Sequence, residues 1–245
     1  MRLSGVAKQG YAVLYGKSQM KLSPLNTYSK TSNKLYILLN SHQKLVVKCY
    51  CGPRAYDRCD QERFTLTHWG KAGFLVPQIH TMLIPELQEP YLLTNYIPGD
   101  SLRQYLSSPS ITLDKKLLTL ERFFADMCSR HEQVIKDKDR HLVHYDPSSS
   151  NVILADNKFC HIDFEAPPKR RSALAAASVE VGVICRRIVD DIGPGHIREV
   201  LQLVVSAYTN QRTLLRRTIK RTMNRSLQFT HYWKDRRRKL AQANA

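Results

Sequence analysis

The order in which two hydrophobic periods follow one another does most to limit the fold of this chain. From about Met20 to Tyr50 the apolar residues come in short runs, "MKLSPLNTY", "NKLYILLN" and "KLVVKCY", separated by the polar "SKTSN" and "SHQ". Runs of that length, rich in Leu, Ile, Val and Tyr and bounded by polar turns, predict strands, the last two as a hairpin. "PRAYDRCDQERFTLTHWGKAGF" predicts a helix. Pro53 suits its first turn, Phe64, Leu66 and Trp69 recur at helical spacing, and Gly70 or Gly73 stops it. "YLLTNYIPGDSL" predicts a strand leaving into a Pro-Gly turn. From "DKKLLTLERFFADMCSRHEQVI" onward the period is helical, with Leu117, Leu120, Phe124, Met127 and Cys128 along one side. "VEVGVICRRIVDDI" and "HIREVLQLVVSAY" continue it. Strands plus one helix, then mostly helices, predict an α+β chain of two lobes. Residues 1–20 show no pattern, and no internal repeat appears.

Charge and cysteine content narrow the class. Lys and Arg total 38 against 21 Asp and Glu, a net charge of +17. Such an excess attracts anionic partners: nucleic acid, a phosphorylated glycan or an acidic membrane surface. The six cysteines form no C-x-x-C pair and none joins a His at zinc-ligand spacing. Free, reduced thiols and a cytosolic compartment are expected. The N-terminus lacks the charged start and apolar stretch of a secretory signal. No run of about eighteen apolar residues exists to span a membrane.

One stretch carries chemistry: "HLVHYDPSSSNVILADNKFCHIDFE", residues 141–165. His144 and Asp146 form a His-x-Asp, Asn151 follows five residues after Asp146, and Asp163 follows twelve after Asn151. Two Asp residues and an Asn near the ends of short strands are what magnesium-assisted phosphoryl transfer requires. Mg²⁺ prefers oxygen ligands and takes one or two carboxylates plus substrate phosphates. A further carboxylate near the acceptor hydroxyl orients it and accepts its proton.

This stretch resembles the catalytic loop and metal-binding turn of the protein-kinase-like superfamily, within it the small-molecule and glycan branch. That branch holds aminoglycoside and choline phosphotransferases and bacterial lipopolysaccharide core kinases, including the Kdo kinases. Those families often carry D-F-E or D-F-D where protein kinases carry D-F-G. The resemblance covers roughly residues 25–190. It implies a bilobal protein-kinase-like fold: a small antiparallel-sheet N-lobe with one helix (1–95), a mostly helical C-lobe with the catalytic loop and metal-binding turn (96–211), and a basic C-terminal helix or tail (212–245). It implies ATP and Mg²⁺ as cofactors, Asp146 as base, His144 as brace of the loop, and Asn151 and Asp163 as metal ligands. Lys48, on "KLVVKCY", matches the phosphate-binding lysine, and Glu62 matches the helix-borne acid that holds it. "YSKTSNKLYIL" resembles the phosphate loop, so that amides of Ser29, Lys30, Thr31 and Ser32 would cradle phosphate, with Asn33 beside them. "LLTNYIPGDSL" resembles the hinge, whose backbone at Asn95 and Tyr96 would meet the adenine edge. Three departures stand out. The phosphate loop has no glycine, Tyr145 replaces the usual Gly or Arg, and Glu180 stands where an Asp is expected.

After Asp163, "EAPPKRRSALAAASVEVGVICRR" is short and contains no A-P-E, which favours a compact hydroxyl acceptor over a docked peptide. Lys169, Arg170 and Arg171 suit a phosphate or carboxylate on that acceptor, or a solvated loop. Arg212 to Lys239 contains eleven Lys or Arg and one acid, Asp235. Apolar and aromatic residues interleave with them. That pattern suits an anionic membrane surface, nucleic-acid phosphates, or a terminal helix packed on the larger lobe. The expected function is a cytoplasmic kinase acting on a hydroxyl of a sugar or small molecule, such as a lipid-linked glycan of lipopolysaccharide core, peripheral on the inner face of the cell membrane. The alternatives are a small atypical protein kinase or ATPase of an RNA-modification or ribosome machinery, and a non-catalytic binding module on the same fold.

Overall fold

The computed structural model describes residues 11–15, 18–25, 33–39 and 43–220. The chain is of mixed α+β structure and forms two compact units. The first holds residues 1–102 and 150–168, the second 103–149 and 169–245.

In the first unit, β1 (Tyr11–Tyr15), β2 (Ser18–Pro24), β3 (Lys34–Leu39), β4 (Lys44–Cys49), β5 (Ile79–His80) and β6 (Tyr91–Asn95) form one antiparallel sheet. Its order is β1-β2-β3-β4-β6-β5. β1 lies in the stretch where the sequence showed no pattern. Alternation along β4 buries Leu45, Val47 and Cys49 on one face, in a core with Leu22, Leu38, Ile84 and Leu93. Lys48 falls between two of these inward positions, so strand parity sends its side chain to the other face.

α1 (Ala55–Lys71) begins two residues after Pro53. Pro53 therefore lies in the preceding turn and not in the first helical turn, because Arg54 takes a left-handed φ of 57° that a helix cannot continue. The far end closes as a Schellman motif. Gly73, at φ 87°, donates its N–H to Gly70 O, Phe74 donates to Trp69 O, and the Trp69 and Phe74 rings meet at 5.9 Å. The buried stripe is Cys59, Glu62, Thr65, Leu66 and Trp69, which puts Glu62 in its middle. Phe64, read from the sequence as part of the apolar side, is half exposed and stacks on His68.

β7 (Val152–Ala155) and β8 (Lys158–His161) form a separate hairpin. Its two-residue loop, Asp156–Asn157, has positive φ at both positions, 45° and 63°, the type I′ geometry that matches strand twist. The hairpin is tied to the rest of the first unit by Leu154 N–H to Asp100 O at 2.9 Å and His161 N–H to Leu75 O at 3.1 Å. Gly99 makes that approach feasible: a Cβ on it would lie 2.0 Å from Leu154 O. These bonds group residues 150–168 with the sheet, whereas a division of the sequence at residue 95 groups them with the helices.

The second unit is helical: α2 (Leu102–Ser107), α3 (Leu113–Lys136), α4 (Ala173–Ile192), α5 (Ile197–Ala207), and a further helical stretch at 212–220. α3 packs on both α4 and α5. Its buried side runs Leu120, Phe123, Phe124, Met127 and Cys128, then passes through Arg130 and His131 to Val134. Ser172 caps α4, its Oγ accepting the Ala175 N–H at 3.3 Å. All six cysteines are free thiols, and burial pushes Cys49, Cys160 and Cys185 up to about 12, far from thiolate chemistry at neutral pH. Among the described residues no helix is long and apolar enough to cross a membrane.

Candidate functional site

Lys48 is the centre of the first unit's charged cluster. Its Nζ lies 2.7 Å from Glu62 Oε2 and 2.5 Å from Asp163 Oδ1. Burial alone would pull the ammonium's pKa down. The Glu62 and Asp163 carboxylates outweigh that, so it is held above the usual lysine range and stays charged. Glu62 Oε2 also accepts the Tyr50 hydroxyl at 2.6 Å, and burial with the adjoining carboxylate keeps that phenol protonated. A strand, a helix and the segment after β8 thus each supply one charged group.

The hairpin explains the spacing from Asn151 to Asp163. Val152 pairs with His161, and Ile162 N–H donates to Asn151 O at 3.0 Å, so Asn151 and Asp163 leave the same end of the hairpin. Asp163 turns left-handed at φ 66°, a conformation that costs a non-glycine residue about 1 kcal/mol or more and concentrates at functional sites. Phe164 then packs its ring 4.7 Å from Trp69. Glu165 lies in the same cluster: Glu62, Asp163 and Glu165 offer oxygens all within 4.8 Å of one another. Glu165 Oε2 accepts from Arg58 Nη1 at 3.1 Å and Asn33 Nδ2 at 2.8 Å. Neither Arg58 nor Glu165 is among the site residues expected from the sequence. Arg58 precedes Glu62 by one helical turn, and this i,i+4 spacing, legible in the sequence, puts both on one face.

His144 and Asp146 belong to the second unit. His144 is buried, and its Nδ1 accepts the Asp146 backbone N–H at 3.3 Å. The Asp146 carboxylate is exposed. The Tyr145 hydroxyl donates back to Arg140 O at 3.0 Å. α4 holds this loop at two points. Ser149 Oγ donates to Asp191 near the end of α4, and Arg103 Nε lies 3.4 Å from the other Asp191 oxygen. Toward its middle, Glu180 accepts the His144 N–H at 3.1 Å.

Glu180 is 2% exposed and receives four donors in all. Arg130 forks onto it at 2.6 and 3.1 Å, and His131 Nε2 lies at 3.0 Å. Arg130 Nη1 also reaches Leu142 O at 2.6 Å. Burial would raise the Glu180 carboxyl, but Arg130 and His131 hold it well below the usual carboxylate range. The His131–Glu180 distance would suit a charged pair. Complete burial, reinforced by the Arg130 guanidinium, instead lowers the His131 pKa and keeps the ring neutral. Nε2–H then donates to Glu180, and Nδ1 accepts the Tyr208 hydroxyl at 2.8 Å.

A pH dependence follows from the two signs. Glu180, depressed in the folded state, contributes stability above its unfolded pKa of about 4.3 that is lost as pH falls toward the folded value. His131, also depressed, takes up its proton more readily when unfolded, so stability declines once pH drops below about 6.5. The slope for one proton is about 1.4 kcal/mol per pH unit. Urea unfolding between pH 7 and pH 5.5 should show that decline in wild type and a shallower one in His131→Gln, which keeps a donor and an acceptor.

The remaining candidates divide. Asn33 is nearly buried and bonded to Glu165 and Arg58. Ser29, Lys30, Thr31 and Ser32 lie outside the described residues, as does the tail from residue 221. The Asn95 N–H donates to Gln78 O and the Tyr96 N–H to Lys44 O, both at 3.1 Å. Their amides are therefore committed to the sheet. Lys169, Arg170 and Arg171 are exposed and form no ion pair among the described residues. No protein-family model matches the chain, and no curated protein matches it in sequence.

Proposed function

We propose that the chain is an ATP- and Mg²⁺-dependent phosphotransferase with a bilobal protein-kinase-like fold, acting on a hydroxyl of a sugar or small molecule. The observation that carries this reading is the Lys48 ammonium set between Glu62 on α1 and Asp163 after the hairpin. A strand lysine fixed by a helix acid is what grips the α- and β-phosphates in such enzymes. Tyr50 steadies the same Glu62 oxygen, so Lys48 is oriented before nucleotide arrives. Asp163 and Asn151 would hold Mg²⁺, which when bound neutralises charge on the transferring phosphates. The oxygen-only character of the cluster suits a hard cation. Asp146 orients the acceptor hydroxyl and takes its proton, on a loop stiffened by His144 and Glu180.

For the acceptor, the support is the net charge of +17, the short segment after Asp163, and the exposed Lys169, Arg170 and Arg171. All favour a compact anionic molecule, and a lipid-linked glycan of the lipopolysaccharide-core type meets that description. Access to it would be peripheral, at the inner face of the cell membrane.

Calorimetric titration with ATP, with and without Mg²⁺, tests the reading. Wild type should bind only with the metal, and Asp163→Ala should weaken binding about tenfold or more. No binding by wild type at millimolar ATP would remove the proposal.

A further inference from the structure

Arg58, Glu165 and Asn33 close a ring. Arg58 Nη1 donates both to Glu165 Oε2 at 3.1 Å and to Asn33 Oδ1 at 3.0 Å, while Asn33 Nδ2 donates to Glu165 Oε2 at 2.8 Å. The amide of Asn33 can face only this way, since a flip would set its NH₂ against the guanidinium and its oxygen against the carboxylate. Arg58 Nη2 donates to Cys51 O as well, the chain just ahead of α1. One guanidinium thus joins the approach to α1, the start of β3 and the segment after β8.

The place of this ring on α1 gives it a consequence. Glu62 gives α1 one polar attachment, to Lys48, while Trp69 near the far end of the helix packs on Phe164. Arg58, one turn earlier on the same face, supplies a second point about 6 Å away. Two attachments on one face hold both rotation and tilt. Both end on the same short segment, Glu62 through Lys48 to Asp163 and Arg58 directly to Glu165.

We infer that Glu165 is a positioning residue: through Arg58 and Asn33 it locks α1 to the segment after β8 and so keeps Glu62 in register with Lys48 and Asp163. This deepens the phosphotransferase reading and rests on it for its effect on nucleotide. The rival role for Glu165 is direct metal ligation, and the two roles predict opposite rankings of two conservative variants. Arg58→Lys keeps the charge but cannot span three acceptors. Glu165→Gln keeps an acceptor oxygen for Arg58 but loses the charge a hard cation needs.

The experiment has two readouts on the intact chain, both taken well below each variant's unfolding midpoint. Amide hydrogen exchange over residues 55–66 without nucleotide reads the lock itself. ATP titration across a Mg²⁺ series reads its effect on the site, separating ATP affinity from the Mg²⁺ midpoint. Positioning predicts that Arg58→Lys speeds exchange and weakens ATP roughly tenfold with an unmoved Mg²⁺ midpoint, while Glu165→Gln changes both only a few-fold. A Mg²⁺ midpoint shifted about tenfold in Glu165→Gln, with Arg58→Lys silent, would overturn positioning in favour of ligation. Unchanged exchange in both variants would overturn it outright. If wild type binds no Mg²⁺–ATP, the phosphotransferase reading fails while the exchange readout still decides whether the lock exists.

Discussion

Glu180→Ala should lower the unfolding free energy by about 4 kcal/mol, a large share of the 5–15 kcal/mol typical of a domain. The loss comes less from the missing contacts than from what stays behind. Arg130 is 0% exposed, and without Glu180 its guanidinium is a buried charge that has lost the carboxylate it forks onto. The His131 Nε2–H and the His144 N–H lose their acceptor in the same step. The double variant Arg130→Met/Glu180→Leu should recover at least half of the loss, because it removes both charges together. Urea unfolding of the two variants, followed by far-ultraviolet circular dichroism, makes the measurement. A Glu180→Ala penalty under 1 kcal/mol would show that water reaches Arg130. The penalty of Glu180→Gln should be smaller than that of Glu180→Ala, since the amide oxygen still accepts from Arg130.

Asp146→Ala should cut phosphate transfer by about 10³-fold while leaving ATP affinity within about threefold of wild type. The carboxylate is exposed, and under the proposed mechanism it serves as proton acceptor and not as phosphate ligand, so its removal would subtract only the first of these. Asp163→Ala should behave in the opposite way, losing binding first. The two variants together therefore separate base from metal site. Transfer is read as labelled phosphate on a purified lipopolysaccharide-type glycan, with binding read by calorimetry on the same preparations. Undiminished transfer in Asp146→Ala would take the role of base away from it. Label on protein alone would move the acceptor to the kinase-of-protein alternative.

How much of this could be read from the residues varies by element. Strands β2, β3, β4 and β6 and helices α1, α3, α4 and α5 announce themselves by period, and the Asp-Asn pair between two apolar runs marks the β7–β8 loop. β1 is harder to read, because its run, Tyr11–Tyr15, is apolar throughout and shows no strand alternation. Pro53 fits a first helical turn in sequence, yet α1 starts two residues later because Arg54 is left-handed. Arg130 and His131 continue the buried stripe of α3, so two polar groups at core positions already implied a buried acceptor.

The sequence by itself determined what short-range physics encodes: the alternation that separates Lys48 from its buried neighbours, the helical turn between Arg58 and Glu62, and the hairpin length from Asn151 to Asp163. The tertiary structure decided which charges meet. Arg58 and Glu165 are 107 residues apart, Asn33 and Glu165 132, and Arg130 and Glu180 50. No period links such positions. A buried carboxylate needs donors from somewhere, but which helix supplies them depends on how the elements pack. That is why Glu180 reads in sequence as one acid on an apolar helix, and in the folded chain as the acceptor on which Arg130, His131 and His144 converge.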